Sequence, residues 1–121
     1  MKPLFLNISN HPSSMWNNRQ QAAAASYGDV VDIPFPIVSP DADSQELQTL
    51  VQDSVQKILS MGDANSITVH IMGEMTLTFM IVKLLKELGI RCVASTTERK
   101  TTYNDDGTKM SEFSFVRFRE Y

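Results

Sequence analysis

The residues best able to do chemistry stand in two short stretches, each directly after an apolar run: SNH at positions 9 to 11 and GEMT at positions 73 to 76. His11 could move a proton near neutral pH, and Glu74 could act as a base or a nucleophile. Gly73 would let a ligand approach the backbone, and free N–H groups at the start of a following helix can hold an anion. Together these residue types favour a small anionic ligand.

Three of these residues also have a purely structural interpretation. Glu74 could be a first-turn acid that complements the helix dipole, and Thr76 could cap the same helix. His11 follows Asn10 and precedes Pro12, so it could be a turn residue with no chemical role.

Other polar and aromatic residues are open to two interpretations as well. Arg99, in the stretch STTER at positions 95 to 99, could bind an anion or could be a surface charge. His70 lies inside an apolar run rather than at its end, which favours a histidine of the core or of a sheet edge. Trp16 favours core packing, with stacking on a ligand as the alternative.

Hydrophobic periodicity predicts alternating strands and helices. We expect Ser13 or Ser14 to cap the first helix, Asp43 to cap the second, Gly28 to end the first in the left-handed conformation, and Gly89 to end the third. The predicted elements are strands at 3–9, 30–35, 66–72 and 90–96, helices at 15–27, 47–59 and 76–89, and a closing hairpin around NDDG at 104–107.

The order β-α-β-α-β-α-β-β implies a small doubly wound, Rossmann-like α/β sheet. Right-handed crossovers give the strand order 2-1-3-4-5, with the last strand antiparallel at the edge. In such sheets a ligand binds outside the carboxyl ends of the strands where the order reverses, here between the first and third strands. The ligand-binding residues expected at this edge are Ser9, Asn10, Gly73, Thr76 and Thr97.

Length and composition favour one domain that spans residues 1–121. This length is close to the commonest domain size, and 42% hydrophobic residues can fill one core. The one cysteine, Cys92, excludes an internal disulfide framework and fits a reducing, cytoplasmic setting. No run approaches the ~20 apolar residues of a membrane span, so we expect no membrane association.

Charge and missing motifs narrow the class of function. The net charge is −3 with both signs interspersed, so we expect no binding of long nucleic acid. The sequence has no Walker lysine loop and no GxGxxG, HExxH or GxSxG motif. A metal site would need His11, Glu74 and distant acids, so we expect neither a metal nor another cofactor.

Four segments carry a resemblance to a known family. They are LNISNHP at the end of the first strand, a glutamine-bearing helix after it, GEMTLTF at the start of the third helix, and FVRFREY in the closing hairpin. In order and spacing, over nearly the whole chain, they resemble the small CRISPR-associated Rossmann-like proteins. These are stand-alone relatives of the sensor domains that bind cyclic oligoadenylates, and some are ring nucleases.

The resemblance implies a homodimer, or a higher even oligomer, that holds a cyclic oligoadenylate across two joined crevices. A ribose 2′-hydroxyl would attack the adjacent phosphate without a metal, with His11 as the base and Arg99 as the cation that stabilises the developing charge. Glu74 would instead receive adenine amines or a sugar hydroxyl. The hydrogen-bonding ligands would be Ser9, Asn10, Thr76 and Thr97.

Two other classes of function remain open. In the first, the same crevice holds a nucleotide that a non-catalytic module senses or sequesters. In the second, the protein is a small nucleoside hydrolase or transferase with Glu74 as nucleophile or base. The phenylalanines at 113, 115 and 118 favour self-association in each case, because an apolar sheet edge is usually covered.

Overall fold

Five strands form one mixed sheet in the computed structural model, which describes residues 2–121. The strand order is β2-β1-β3-β4-β5, and β5 alone is antiparallel to its neighbour, so the predicted α/β fold and strand order are confirmed. The strands are β1 (Leu4–Ser9), β2 (Asp29–Pro34), β3 (Ile67–Met72), β4 (Arg91–Tyr103) and β5 (Lys109–Glu120), and the helices are α1 (Asn18–Ala25), α2 (Ser44–Leu59) and α3 (Met75–Glu87).

The two faces of the sheet are covered unequally. Side chains alternate along a strand, and Leu6 and Ile8 of β1 belong to the large apolar core shared with α2 and α3. Phe5 points to the other face, where it packs with Trp16 and with Ala24 of α1. Because α1 has only 8 residues and buries one of them, Ala24, it leaves part of this second face without a helix above it.

The ends of α1 differ from the prediction. Ser13 and Ser14 belong to a separate 3₁₀ turn, and the cap is Asn17, whose side chain accepts from a backbone N–H of the first helical turn. Gly28 follows the helix with φ 158°, outside the left-handed helical region. A Cβ there would lie 2.5 Å from the Pro3 carbonyl oxygen, so the close approach of the backbone is what requires glycine.

The cap of α2 and the residue that ends α3 agree with the prediction. Asp43 caps α2 and accepts from the backbone N–H of Glu46 at 2.8 Å. Gly89 follows α3 with φ 78°, the left-handed conformation expected of a glycine at a helix end. Within residues 2–121, no helix has the length and apolar character that crossing a membrane requires.

The closing hairpin around NDDG is confirmed, and its first strand is continuous with β4. β4 continues to Tyr103 rather than ending at 96, and it pairs with β5 along its whole outer half. Beyond Thr96 nearly every residue of this pair is exposed until Ser114, so this part of the hairpin extends past the core. We call residues 97–115 the hairpin arm. A two-stranded arm is marginally stable in water by itself.

Candidate functional site

Three neighbouring strands each place one polar side chain in the same row across the α1 face. Asn7 of β1 is the register partner of Asp32 in β2 and of His70 in β3. Asn7 is 1% exposed and His70 is 2% exposed. Because buried polar groups need hydrogen-bond partners, we expect the side chains of this row to be hydrogen-bonded to one another or to neighbouring groups.

The contacts of Asn7 determine which end of its amide faces each neighbour. Its side-chain nitrogen lies 2.8 Å from the Asp32 carboxylate and 3.0 Å from the His11 carbonyl oxygen, and both of those groups accept. The Asn7 side-chain oxygen therefore faces His70 Nδ1, at 2.8 Å, and it also accepts from the Ser9 hydroxyl at 2.8 Å. All four hydrogen-bonding positions of the amide are then filled.

Asp32 anchors one end of the row as a carboxylate. Burial by itself would raise the pKa of Asp32, but hydrogen bonds from Asn7 and Ser13 outweigh burial and lower the pKa below its ordinary value. Ser13 donates through its backbone N–H at 3.1 Å and its hydroxyl at 2.8 Å. The loop after β1 is thereby tied to β2.

His70 is held in one tautomer, which sets the direction of the hydrogen bonds on its other side. With the Asn7 oxygen as acceptor, Nδ1 carries the proton and Nε2 accepts from the Ser95 hydroxyl at 2.7 Å. Burial lowers the pKa of His70 to about 4, so the ring is uncharged at neutral pH. Gln20 of α1 donates to Ser95 Oγ at 3.1 Å. A directed chain of hydrogen bonds thus runs from Gln20 through Ser95, His70 and Asn7 to Asp32.

A crevice of about 620 Å³ opens over this chain, where α1 leaves the sheet uncovered. It lies at the carboxyl ends of β1 and β3, the position at which the strand order reverses and where a ligand was predicted. Both histidines of the sequence, His11 and His70, line it. Trp16 also lines it and packs edge-on against His70, with ring centroids 5.5 Å apart, so Trp16 belongs to the core and to the crevice wall.

The structure brings most of the predicted site residues together. His11 lines the crevice from an exposed position, and its ring has no hydrogen-bond partner within residues 2–121. In the same part of the chain, no group of three or more His, Cys, Asp and Glu side chains is arranged to hold a metal ion. The predicted residues that line the crevice are Ser9, Asn10, His11, Gly73 and Thr97.

Glu74 and Thr76 do not line the crevice, and their side chains are hydrogen-bonded to each other. Glu74 is the cap of α3, and its carboxylate accepts from the backbone N–H groups of Leu77 at 2.8 Å and Thr76 at 3.1 Å. The hydrogen bond from Leu77, followed by those from Thr76, lowers the pKa of Glu74. The prediction that Thr76 is the cap is therefore wrong, and these two N–H groups, expected to be free for an anion, are bonded to Glu74.

Gly73 lines the crevice, and packing against a neighbouring ring also requires a glycine at this position. A Cβ at this position would lie 2.4 Å from the ring of Phe35, which follows β2. The aromatic ring occupies the space that a side chain would need, so the glycine is required even with no ligand present.

The hairpin arm continues one wall of the crevice. Directly opposed residues of an antiparallel pair point to the same face, so Thr97 shares a face with Phe115, and Arg99 shares it with Phe113. Thr97 and both phenylalanines line the crevice. Arg99 stands one pair further out and donates to the Ser111 hydroxyl at 3.2 Å. Only a ligand larger than the crevice would reach Arg99.

The hydrogen-bonded chain at the centre of the site was not predicted. His70 is buried, as a core histidine should be, but it also lines the crevice. A signal was present: the apolar runs LFLNIS, VVDIPF and SITVHIM each carry, near the middle, a polar residue whose side chain needs a partner when it is buried. Register then makes Asn7, Asp32 and His70 neighbours.

These features define a small doubly wound α/β protein with a polar crevice at the point where the strand order reverses. The chain belongs to the family described as the uncharacterized protein MJ1673 family, whose model matches residues 3–119. No match was found among curated proteins or among solved structures. Membership of this family assigns no activity, so a function has to be inferred from the chemistry of the crevice.

Proposed function

We propose that this protein is a CRISPR-associated ring nuclease that binds a cyclic oligoadenylate and cleaves it without a metal. The observation that carries the proposal is that both histidines of the sequence line one crevice. When a ribose 2′-hydroxyl attacks its phosphate, one group must take a proton from that hydroxyl and another must give a proton to the leaving oxygen. The two imidazoles lie in different environments, one buried and one exposed, and such a difference suits a pair of groups to the opposite roles of base and acid.

The side chains around the histidines suit an oligonucleotide ligand. Phe113 presents exposed aromatic surface on which a base can stack, a contact that serves single-stranded nucleic acids in general, and the largely buried Trp16 and Phe115 line the crevice beside it. Asn10 and Gln20 offer amide groups that can pair with the edge of an adenine. On the hairpin arm, Arg99 would contribute the cation for a phosphate beyond the crevice.

The size of the crevice supports a homodimer. A volume of about 620 Å³ is typical of a site for a drug-sized ligand, and a ring of four nucleotides is several times larger than such a ligand. Two crevices related by symmetry would each hold half of the ring. Phe113, 70% exposed on the hairpin arm, provides apolar surface for the second copy. We also propose a cytoplasmic location, which the free, buried thiol of Cys92 fits.

The proposal is tested with the purified full chain, cyclic tetra-adenylate and cyclic hexa-adenylate. We expect at least one ring to raise Tm and to be cleaved, while a linear tetra-adenylate is bound more weakly. His11→Ala should slow cleavage by ~10²-fold to 10⁴-fold, the loss typical of removing a general acid or base, and should still bind the ring.

Two results would overturn this proposal. A rise in Tm with no cleavage of either ring would favour a sensor or sequestering module. No rise in Tm with either ring would remove cyclic oligoadenylates as the ligand class.

A further inference from the structure

Ser95 and His70 have the arrangement of a proton relay that opens into the crevice. The Ser95 hydroxyl donates to His70 Nε2 at 2.7 Å, and Asn7 fixes the opposite ring nitrogen as a donor. His70 is 2% exposed, so a bound molecule cannot reach its basic nitrogen directly. Ser95 is half-buried and lines the crevice, so it is the accessible end of the pair.

The hydrogen bonds of the Ser95 hydroxyl leave one position for a ligand. A serine hydroxyl has one donor and two acceptor lone pairs. The donor goes to His70, and one lone pair accepts from Gln20 at 3.1 Å. The remaining lone pair can accept a proton from a hydroxyl group held in the crevice.

We propose that Ser95 is a catalytic residue that takes the proton of the ribose 2′-hydroxyl and passes its own proton to His70. The inference rests on the proposed function and names the base of that reaction. As the 2′-oxygen forms its bond to phosphorus, its proton moves to Ser95 Oγ and the Ser95 proton moves to His70 Nε2. The bond from phosphorus to the 5′-oxygen breaks, and that oxygen leaves with the electron pair and takes a proton from His11.

The backbone of Ser95 adds a donor at the same place. Its N–H donates to the thioether sulfur of Met72 at 3.2 Å. A thioether is a weak acceptor, and a phosphate oxygen is a much stronger one. A phosphate seated beside the Ser95 hydroxyl would therefore replace Met72 as the partner of this N–H, which would stabilise the charge that develops on the phosphate.

His70 is better positioned than His11 to be the base. Its ring is fixed by Asn7 and Ser95 and packs against Phe5, Trp16 and Phe118, none of which is charged. Asp32 is linked to the ring only through Asn7.

His11, by contrast, has an exposed ring without a hydrogen-bond partner in residues 2–121. Such a ring can exchange protons with solvent between turnovers, as a general acid must.

The test compares Ser95→Ala, Ser95→Thr and the control Thr96→Val on whichever ring the wild-type protein cleaves. Thr96 carries a neighbouring hydroxyl on the opposite face, bonded to the Arg117 carbonyl. We expect Ser95→Ala to lower kcat by about 100-fold or more with ring binding retained, since a proton-transfer group is lost. Ser95→Thr, which keeps a hydroxyl, should retain most of the activity, and Thr96→Val should match the wild type.

The pH profile identifies the histidine that receives the proton. If it is His70, kcat/KM stays level as the pH falls through 6.5 and declines only toward about 4. His11→Ala should leave this acid limb in place. Cleavage by Ser95→Ala at the wild-type rate, or an acid limb that His11→Ala removes, would overturn the relay. Absence of cleavage by the wild-type protein would instead overturn the proposed function itself.

Discussion

The side-chain nitrogen of Asn7 lies 2.8 Å from the Asp32 carboxylate, and this contact fixes the amide orientation that holds His70 in one tautomer. Asn7→Asp would bring two carboxylates together and leave Asp32 without this donor. We expect the variant to lose about 1–3 kcal/mol of unfolding free energy, the usual cost of an unsatisfied buried polar group. Adding Asp32→Asn should restore most of the loss, because the new amide can donate to the new carboxylate.

Urea denaturation of the two single variants and the double variant measures this coupling as a double-mutant cycle. The control pairs Asn7→Asp with Asp53→Asn, since Asp53 is exposed on α2. If Asp53→Asn restored the stability of Asn7→Asp as much as Asp32→Asn does, Asp32 would not set the orientation of Asn7.

Because His70 is buried, we expect the free energy of unfolding to fall in mild acid. Its pKa is lowered from 6.5 to about 4 on folding, so between these pH values the unfolded chain binds more protons than the folded one. Unfolding free energy should therefore be highest above pH 6.5 and should fall toward pH 4 by roughly 3 kcal/mol at ~1.4 kcal/mol per pH unit. Asp32, whose pKa is lowered from 3.8, loses its contribution only in stronger acid.

The measurement is denaturant unfolding at several pH values between neutral and pH 4. His70→Gln keeps a hydrogen-bonding side chain but cannot be protonated in this range, so its stability should vary much less there, with a decline only near pH 4 as carboxylates such as Glu74 are protonated. A slope in His70→Gln as steep as that of the wild type would assign the pH dependence to other groups.

The fold could be predicted from the sequence because its determinants are local and repetitive. The apolar runs of β1 and β3 and the steps of three and four in α2 and α3 give the elements, and short connections leave few ways to join them. The first helix was placed too early because Ser13 resembles a cap, whereas it bonds to Asp32, 19 residues away. No local pattern contains that contact.

The site could be predicted only in part, for a related reason. His11 and Gly73 follow strands directly, so the topology alone brings them to one edge. The roles of Asn7 and Ser95 depend on register between strands and on the direction of side chains, which spacing in one segment does not give. For Glu74 the sequence left a chemical role and a role at the helix start both open, and only the structure shows that its carboxylate is bonded to its own helix.

We expect the protein to self-associate through Phe113 of the hairpin arm. This side chain is 70% exposed and Phe79 on α3 is 68% exposed, so the two are matched in type and exposure. We expect the wild type and Phe79→Asp to sediment as dimers at micromolar concentration and Phe113→Asp to sediment as a monomer. A monomeric wild type would remove the dimer, and dissociation by Phe79→Asp instead would move the interface to α3.

We expect a substitution of Glu74 to lower the stability of the protein without lowering the rate of cleavage. Its carboxylate caps α3 through the N–H groups of Thr76 and Leu77, and an alanine cannot replace those bonds. Glu74→Ala should lower Tm by a few degrees and should leave kcat unchanged at a temperature where the variant is folded. A clear fall in kcat with an unchanged Tm would support the catalytic role predicted from the sequence.

In the proposed reaction the two histidines of one crevice cut a ring of RNA without a metal. Its most direct test is the turnover of cyclic tetra-adenylate by purified protein in excess chelator, with the products identified by mass spectrometry. We expect the same rate as without chelator and linear products that end in a 2′,3′-cyclic phosphate, because the 2′-oxygen stays bonded to phosphorus. Loss of activity in chelator, or products with a 5′-phosphate and a 3′-hydroxyl, would contradict it.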